Sequence, residues 1–233
     1  MSLPSGAGQN AGRPYVFMNI VCTVDGRTSV DGKASGLGSP MDRRVMRTLR
    51  SKADAVMIGG GTLRAEKLSL GLDAEDPRPQ PLAVVLSNTG DVPLERNLIV
   101  DRRQRVLLLL AEDAPDGAGP RIGDRAEVRR VETTSSGAID LAKALNTLKA
   151  DYDVRRLLVE GGPTINHAIL SSNLANELFV TLAPTLLGAS TQDASSLVGG
   201  RLGKRRDLML LSAYLDADEL FLRYAIGGKA QST

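Results

Sequence analysis

Short apolar runs that alternate with segments of helical pattern constrain the fold of this chain more than any other feature. The apolar residues of the segment 15–24 do not alternate with polar ones, apart from Asn19 and Thr23, which predicts a strand covered on both faces. The remaining predicted strands are residues 55–58, 82–86, 105–110, 126–131, 156–159, 177–183 and 219–226. Strands that alternate with helices predict an α/β fold with a largely parallel central sheet and helices on both faces. No amphipathic helix separates the last two strands, which predicts an antiparallel C-terminal edge.

Helix signals are clearest at Ser39, a predicted N-cap that is followed by Pro40 at the first helical position and Asp42 at the third. A second amphipathic helix is predicted over residues 138–150, and short helices are expected from Leu63 and after Thr164. The loops are predicted to be residues 87–104, 111–125 and 186–206.

Composition limits the class of protein. The 233 residues are 42% hydrophobic with a formal net charge of +2, which suits one core and does not indicate a nucleic-acid or membrane partner. We expect a single domain at residues 14–228, with tails at 1–13 and 229–233. No apolar stretch approaches the about 18 residues that span a bilayer, and the N-terminus lacks the apolar core of a signal peptide. We therefore expect a cytoplasmic protein.

The chain has one cysteine and one histidine. They cannot form a disulfide framework, and a zinc site is not expected because it needs three or four ligands. Cys22 lies in an apolar run, which favours a core residue over a nucleophile. His167 lies in a helical segment, where an ordinary histidine near a binding site is favoured over a catalytic acid.

Two strands end in glycine-rich segments, GGGT at residues 59–62 and EGGPT at residues 160–164. Glycine lets the backbone approach a ligand, and the helix start that follows offers N–H groups, which suits a phosphate or pyrophosphate. The same glycines could merely make tight strand-to-helix turns. Arg64 stands where a Rossmann fingerprint needs its third glycine, and no P-loop pattern occurs, so both of those nucleotide folds are disfavoured.

Two acids follow buried strands. Glu160 ends an apolar strand, where burial is costly unless the carboxylate meets a ligand or hydrogen-bond donors. The alternative is a cap on the glycine turn. Asp25 precedes Gly26 and could equally be a turn residue.

Five segments occur in order: NIVCTVDGR at residues 19–27, GLGSP at 36–40, ADAVMIGGGTLRAE at 53–66, LLVEGGP at 157–163 and APTLLG at 183–188. Together they resemble the riboflavin-biosynthesis pyrimidine reductase family, over roughly residues 15–226. The resemblance implies a dihydrofolate-reductase-like fold. It also implies NADPH-dependent reduction of the ribosylamino side chain of a 5′-phosphorylated diaminopyrimidinone to ribitylamino. The zinc ligands of a fused deaminase are missing, so we expect a stand-alone reductase.

Carried over by position, the resemblance gives the residues expected to line the cofactor: Thr62, Glu66, Ser87, Asn88, Gly161, Gly162, Pro163, Thr164 and Ile165. The helix start at 162–165 would hold the pyrophosphate. The substrate would be faced by Arg50, Leu70 and Glu160. Asp25 would lie near the reacting centre. Asp25 and Glu160 are thus the two candidate catalytic acids. The sequence does not assign proton transfer to one of them over the other.

Two features predict the cofactor and the assembly. Ser87 and Asn88 follow a strand without an acid beside them, which favours NADPH over NADH. Apolar runs at residues 178–180 and 220–222 suggest sheet edges that need cover, which predicts a homodimer, as the resemblance also implies.

The chain departs from the resemblance at three places. Residues 66–68 are EKL, where many members carry aspartate and then aspartate-proline or asparagine-proline. A family serine falls at Ala34, with Ser35 beside it, and a family arginine falls near Asp73, which leaves Arg78 as the nearest substitute. Two alternatives therefore stay open: NADPH-dependent reduction of a pteridine such as dihydrofolate, and a non-catalytic NADPH-binding protein.

Overall fold

A computed structural model describes residues 3–4, 12–30, 33, 36–93, 95–115, 123–188 and 196–227. Within them, nine strands form a mostly parallel sheet with an antiparallel C-terminal edge, which confirms the predicted fold class. The strands are β1 (Tyr15–Thr23), β2 (Ala55–Gly59), β3 (Leu82–Ser87), β4 (Val106–Ala111), β5 (Glu127–Val131), β6 (Arg156–Val159), β7 (Glu177–Ala183), β8 (Leu208–Asp216) and β9 (Glu219–Ile226). The helices are α1 (Pro40–Arg50), α2 (Gly60–Ala65), α3 (Asn97–Val100), α4 (Leu141–Tyr152) and α5 (Pro163–Ser171).

The chain divides into two compact units, and the first comprises Met1–Tyr15 and Leu49–Leu158. Its strands β5, β4, β3 and β2 lie side by side in that order and pair in parallel. The side chains of β3 and β4 are almost all buried, as their apolar sequences LAVVLS and VLLLLA require. Helix α4 adds the buried side chains of Ala144, Leu145 and Leu148 to this core.

The second unit comprises Val16–Thr48 and Val159–Thr233. Its strands are ordered β1, β7, β9 and β8. β1 pairs with β7 in parallel, whereas β7 with β9 and β9 with β8 are antiparallel. A register shift between Leu210 and Ser212 interrupts the last pair. In the β7–β9 pair, Phe179 lies opposite Arg223, whose guanidinium is bound to the buried carboxylate of Glu177.

The predicted start of α1 is confirmed. The Ser39 hydroxyl oxygen accepts hydrogen bonds from the N–H groups of Met41 and Asp42, at 3.1 Å each. None of the described helices is both long and apolar enough to cross a membrane.

Four predicted boundaries or elements were wrong. Helix α2 begins at Gly60 rather than Leu63, and α4 begins at Leu141 because the Asp140 carboxylate caps it by accepting from the N–H groups of residues 142 and 143. Helix α3 lies inside a predicted loop. Strand β8 was missed altogether. It is exposed along nearly its whole length and is held by its ladder to β9, so no burial pattern marks it in the sequence.

Candidate active site

Arg50 and the segment around Leu70 meet in the first unit. Arg50 is buried, and its Nη1 donates a hydrogen bond to the carbonyl oxygen of Gly71 at 3.2 Å. Leu70 is fully buried and belongs to the core. The N–H of Leu72 donates to Gln80 Oε1 at 2.7 Å. The side chains of Arg50 and Gln80 thus hold the backbone directly after Leu70, the residue that we expected to face the substrate.

The cofactor residues expected in this unit lie at the ends of α2 and β3. The N–H of Glu66 donates to the carbonyl oxygen of Thr62 at 3.0 Å and closes α2. Ser87 is buried, and its hydroxyl oxygen accepts from the N–H of Gly90 at 3.0 Å. Asn88 is exposed, and its Oδ1 accepts from the N–H of Ile139 at 3.2 Å. With the acceptor oxygens engaged in these bonds, the Ser87 hydroxyl hydrogen and the Asn88 amide group can serve as donors.

The second glycine segment leads into α5 in the other unit. Gly161 has φ +89°, a conformation that favours glycine, and the Gly161–Gly162 peptide bond is cis. Gly162 is the N-cap of α5, and Pro163 occupies its first turn. No side chain caps this helix start, so its first backbone N–H groups point out of the helix N-terminus, where a ligand can bind them. Thr164 is exposed there and Ile165 is buried.

A glycine pair from the segment after β7 packs against this helix start. A Cβ on Gly199 would lie 2.6 Å from the backbone carbon and oxygen of Pro163, and one on Gly200 would lie 3.0 Å from the His167 ring. Asn166 Nδ2 donates to the carbonyl oxygen of Leu197 at 3.1 Å, while no described group bonds its buried Oδ1. An uncapped helix N-terminus with close glycine backbone fits a pyrophosphate.

Glu160 lies half-buried at the end of β6, among other acids of the second unit. Burial raises the pKa of Asp42, and the carboxylates of Glu219 and Glu160 add to the rise, against a hydrogen bond with Thr181 that lowers it. The Ser39 hydroxyl donates to Glu219 Oε2. Among the described residues, no three His, Cys, Asp or Glu side chains are placed to hold a metal ion.

This acidic neighbourhood was not predicted from the sequence. Asp42 was predicted only as an acid in the first turn of α1, and Glu219 at the start of β9 was not predicted as a site residue. Both carboxylates are buried, with about 7% of each residue exposed. The sequence offers two signals for this neighbourhood. Glu219 is an acid at the start of a strand, and Asp42 lies in the helix that begins in the GLGSP segment.

Asp25 is engaged in a turn. Its carboxylate accepts a 2.6 Å hydrogen bond from the Thr23 hydroxyl and bonds from the N–H groups of Leu187 and Gly188, at 3.3 and 2.7 Å. The Thr23 hydroxyl is the main cause of the lowered pKa of Asp25, and the two N–H groups contribute. The carboxyl is therefore ionised at neutral pH, which makes it a poor proton donor. These contacts connect Asp25 to the turn after β1 and to the segment after β7.

Three other residues from the sequence have ordinary surroundings. Cys22 is buried, and burial raises the pKa of its thiol, as suits a core residue. His167 Nε2 lies 3.0 Å from the carbonyl oxygen of Arg201. The exposed Arg78 donates through Nε to Asp76 at 2.8 Å and holds the Asp76 pKa at about 2. Ala34 and Ser35 lie outside the described residues.

Comparison with known proteins places the chain among riboflavin-biosynthesis proteins. Residues 14–214 match the family described as RibD C-terminal domain. A protein of Methanothermobacter thermautotrophicus named 2,5-diamino-6-ribosylamino-4(3H)-pyrimidinone 5′-phosphate reductase is 29% identical over 222 residues, which is 93% of this chain and 100% of that protein. The protein of the same name from Archaeoglobus fulgidus is 30% identical over 186 residues, 76% of this chain and 83% of the relative.

Solved structures of low sequence identity share the fold. RibD of Acinetobacter baumannii superposes with a TM-score of 0.76 at 22% identity, over 93% of this chain and 58% of that one, so the chain spans little more than half of that protein. The riboflavin biosynthesis reductase Rib7 of Saccharomyces cerevisiae gives 0.74 at 18% identity, over 94% of this chain and 92% of that one.

Proposed function

Because the chain belongs to the RibD C-terminal domain family, we propose that it is a reductase of riboflavin biosynthesis. Its substrate is 2,5-diamino-6-ribosylamino-4(3H)-pyrimidinone 5′-phosphate, and the reaction converts the ribosylamino side chain to ribitylamino. The observation that carries this assignment is the match along the entire length of a reductase of that name. The sequence-based prediction of the family is confirmed.

A reductase of this family uses a nicotinamide cofactor, and we propose NADPH. When bound, the cofactor supplies the hydride that reduces C1′ of the opened sugar. The backbone N–H groups of Gly162, Thr164 and Ile165 at the start of α5 would hold its pyrophosphate, which is supported by the uncapped helix end. The remaining expected cofactor contacts are Gly161, Thr62, Glu66, Ser87 and Asn88.

We propose that Glu160 acts on the substrate through its charge. The carboxylate would stabilise the positive charge that develops at C1′ as the sugar opens to an imine. Arg50 would act from the Gly71 backbone, which it binds, and would thereby position the segment that contains Leu70. Asp25, whose pKa is lowered, would contribute a fixed negative charge near the reacting centre rather than a proton.

We also propose a homodimer that covers β8. Strand β8 is the open edge of the antiparallel part of the sheet, because β7 lies between β1 and β9, and β9 lies between β7 and β8. The dimer was predicted from the apolar runs at residues 178–180 and 220–222. These runs lie in β7 and β9, which are not edge strands, so the predicted location of the edge was wrong. β8 exposes apolar side chains that include Leu210, Tyr214 and Leu215. A patch of this kind marks an interaction surface, and a second copy offers the same apolar strip.

The decisive assay follows NADPH oxidation by absorbance, with the diaminopyrimidinone phosphate and dihydrofolate offered separately. We expect turnover with the pyrimidinone phosphate and a kcat/KM at least a hundredfold lower with dihydrofolate. A preference for dihydrofolate would support the pteridine alternative. No turnover with either compound, by a protein that binds NADPH, would support the non-catalytic alternative. A kcat/KM with NADH equal to that with NADPH would refute the cofactor assignment.

A further inference from the structure

The turn after β3 offers neutral donors for a phosphate. Ser87 can supply a hydroxyl and Asn88 an amide group, as their bonds to Gly90 and Ile139 engage only the acceptor oxygens. A phosphate monoester carries a charge of about −1.5 to −2 at neutral pH. Neutral donors alone bind such a group less strongly than a guanidinium, which forms charge-assisted and often bidentate hydrogen bonds.

Arg64 brings a guanidinium to the end of this turn. Its Nη1 donates to the backbone carbonyl oxygen of Asp91 at 2.8 Å and lies 3.6 Å from the Asp91 carboxylate. Asp91 is four residues after Ser87. The Arg64 side chain is 45% exposed and the Asp91 side chain 73%, so both groups can be reached by a ligand.

The helix that carries Arg64 is fixed against the same turn. Gly60, the first residue of α2, packs so closely on the end of β3 that an added Cβ would lie 3.4 Å from Ser87 Oγ and from the Leu86 carbonyl oxygen. At the other end of the helix, Arg96 Nη2 donates to the carbonyl oxygen of Arg64. Arg64 is thus held on a short helix that is anchored at both ends in the first unit.

On the basis of the proposed function, we propose that Arg64 binds the 2′-phosphate of NADPH and determines the preference for NADPH over NADH. The Asp91 carboxylate is the group that the phosphate replaces beside Arg64. Since carboxylate and phosphate are both negative, Asp91 opposes binding of the 2′-phosphate while Arg64 favours it. Ser87 and Asn88 then orient a phosphate whose charge is balanced by the guanidinium.

The same chemistry could serve the 5′-phosphate of the substrate. The position of Arg64 favours the cofactor, because it shares the turn with Ser87 and Asn88, the residues expected to line the cofactor. The arginine expected to face the substrate is Arg50, which is buried and bound to the backbone of Gly71. Two probes distinguish these phosphates: 2′,5′-ADP carries the 2′-phosphate of the cofactor, and ribose 5-phosphate carries the 5′-phosphate of the substrate.

The test is calorimetric binding of 2′,5′-ADP, 5′-AMP and ribose 5-phosphate to wild type, Arg64→Gln and Asp91→Asn. The matched control is Arg102→Gln, which removes an arginine from an exposed ion pair with Asp124. We expect Arg64→Gln to weaken 2′,5′-ADP binding about tenfold and to leave 5′-AMP within twofold of wild type. Asp91→Asn should tighten 2′,5′-ADP binding, and the control should match wild type. The ratio of kcat/KM for NADPH to that for NADH should fall about tenfold in Arg64→Gln only.

Wild-type affinity for 2′,5′-ADP that is retained in Arg64→Gln would overturn the role of Arg64 and leave the proposed reductase intact. Loss of ribose 5-phosphate binding instead of 2′,5′-ADP binding would also overturn it, because the guanidinium would then serve the substrate. If wild type distinguishes neither 2′,5′-ADP from 5′-AMP nor NADPH from NADH, the proposed use of NADPH fails together with this inference.

Discussion

The buried ion pair between β7 and β9 gives the most quantitative prediction. Glu177 is 2% exposed and Arg223 is 15% exposed by side chain, and the carboxylate accepts two bonds from the guanidinium, at 2.9 and 2.8 Å. The guanidinium carbon also lies 5.3 Å from the centre of the Phe179 ring. Arg223→Met removes the partner and leaves an uncompensated carboxylate in the sheet.

Breaking such a pair on one side costs about 3–5 kcal/mol. For a chain of this size, each kcal/mol lowers Tm by about 2–4 °C, so we expect Arg223→Met to unfold about 6–20 °C below wild type. The double variant Glu177→Gln with Arg223→Met removes both charges and should recover most of this loss. Arg205→Met is the matched control, because Arg205 and Asp207 form an exposed pair in the same unit, and it should leave Tm unchanged.

The assay is thermal and urea unfolding of wild type, Glu177→Gln, Arg223→Met, the double variant and the Arg205→Met control at neutral pH. The free energies of the first four proteins are compared as a double-mutant cycle. An Arg223→Met variant that loses less than about 1 kcal/mol would refute the reasoning, since the carboxylate would then have found water or another partner. A double variant as unstable as Arg223→Met would show that packing of the arginine stem, rather than the unpaired charge, dominates.

Three further predictions test other groups. Burial raises the folded-state pKa of Asp42 above its unfolded value, so the wild type loses stability as the pH rises from about 4, the unfolded pKa, through the raised folded-state pKa. The free energy of unfolding of Asp42→Asn should increase relative to that of wild type over this range, and a pH-independent difference would contradict this. Glu160→Gln should lower kcat/KM for the substrate at least tenfold, as electrostatic contributions of about 2.7–4 kcal/mol are typical, while the Kd of NADPH stays within twofold; unchanged kcat/KM would leave Glu160 a turn residue. Leu215→Lys, at a side chain on β8 that is 70% exposed, should convert a dimer to a monomer in light scattering, and a wild type that is monomeric at micromolar concentration would contradict the proposed dimer.

Much of the fold could be predicted because buried strands and helices carry apolar patterns that are visible in the sequence. Strands such as β4 carry continuous apolar residues since both faces are covered, and the Ser39 cap follows from local hydrogen bonding. Strand β8 could not be predicted in the same way. Its apolar side chains are exposed and its partner strand β9 follows it along the chain, so neither burial nor alternation distinguishes it from an apolar loop.

The candidate site was predictable only where a motif is local. The glycine turn at 161–162 and the start of α5 follow from a few adjacent residues. The neighbourhood of Glu160 does not, because its acids come from α1 and β9, far apart in sequence. Asp25 shows the same limit. Its turn role depends on N–H groups about 160 residues away, at Leu187 and Gly188, which no local pattern reveals.

The measurement that most directly tests the central claim is transfer of deuterium from the nicotinamide C4 of NADPH to the product. The enzyme is given the diaminopyrimidinone 5′-phosphate with cofactor that carries deuterium at each C4 position in turn, and the product is examined by mass spectrometry and NMR. We predict one deuterium at C1′ of a ribitylamino side chain from one of the two labelled cofactors and none from the other. Recovery of the ribosylamino compound unchanged, by an enzyme that transfers the label to dihydrofolate in a parallel reaction, would contradict the account.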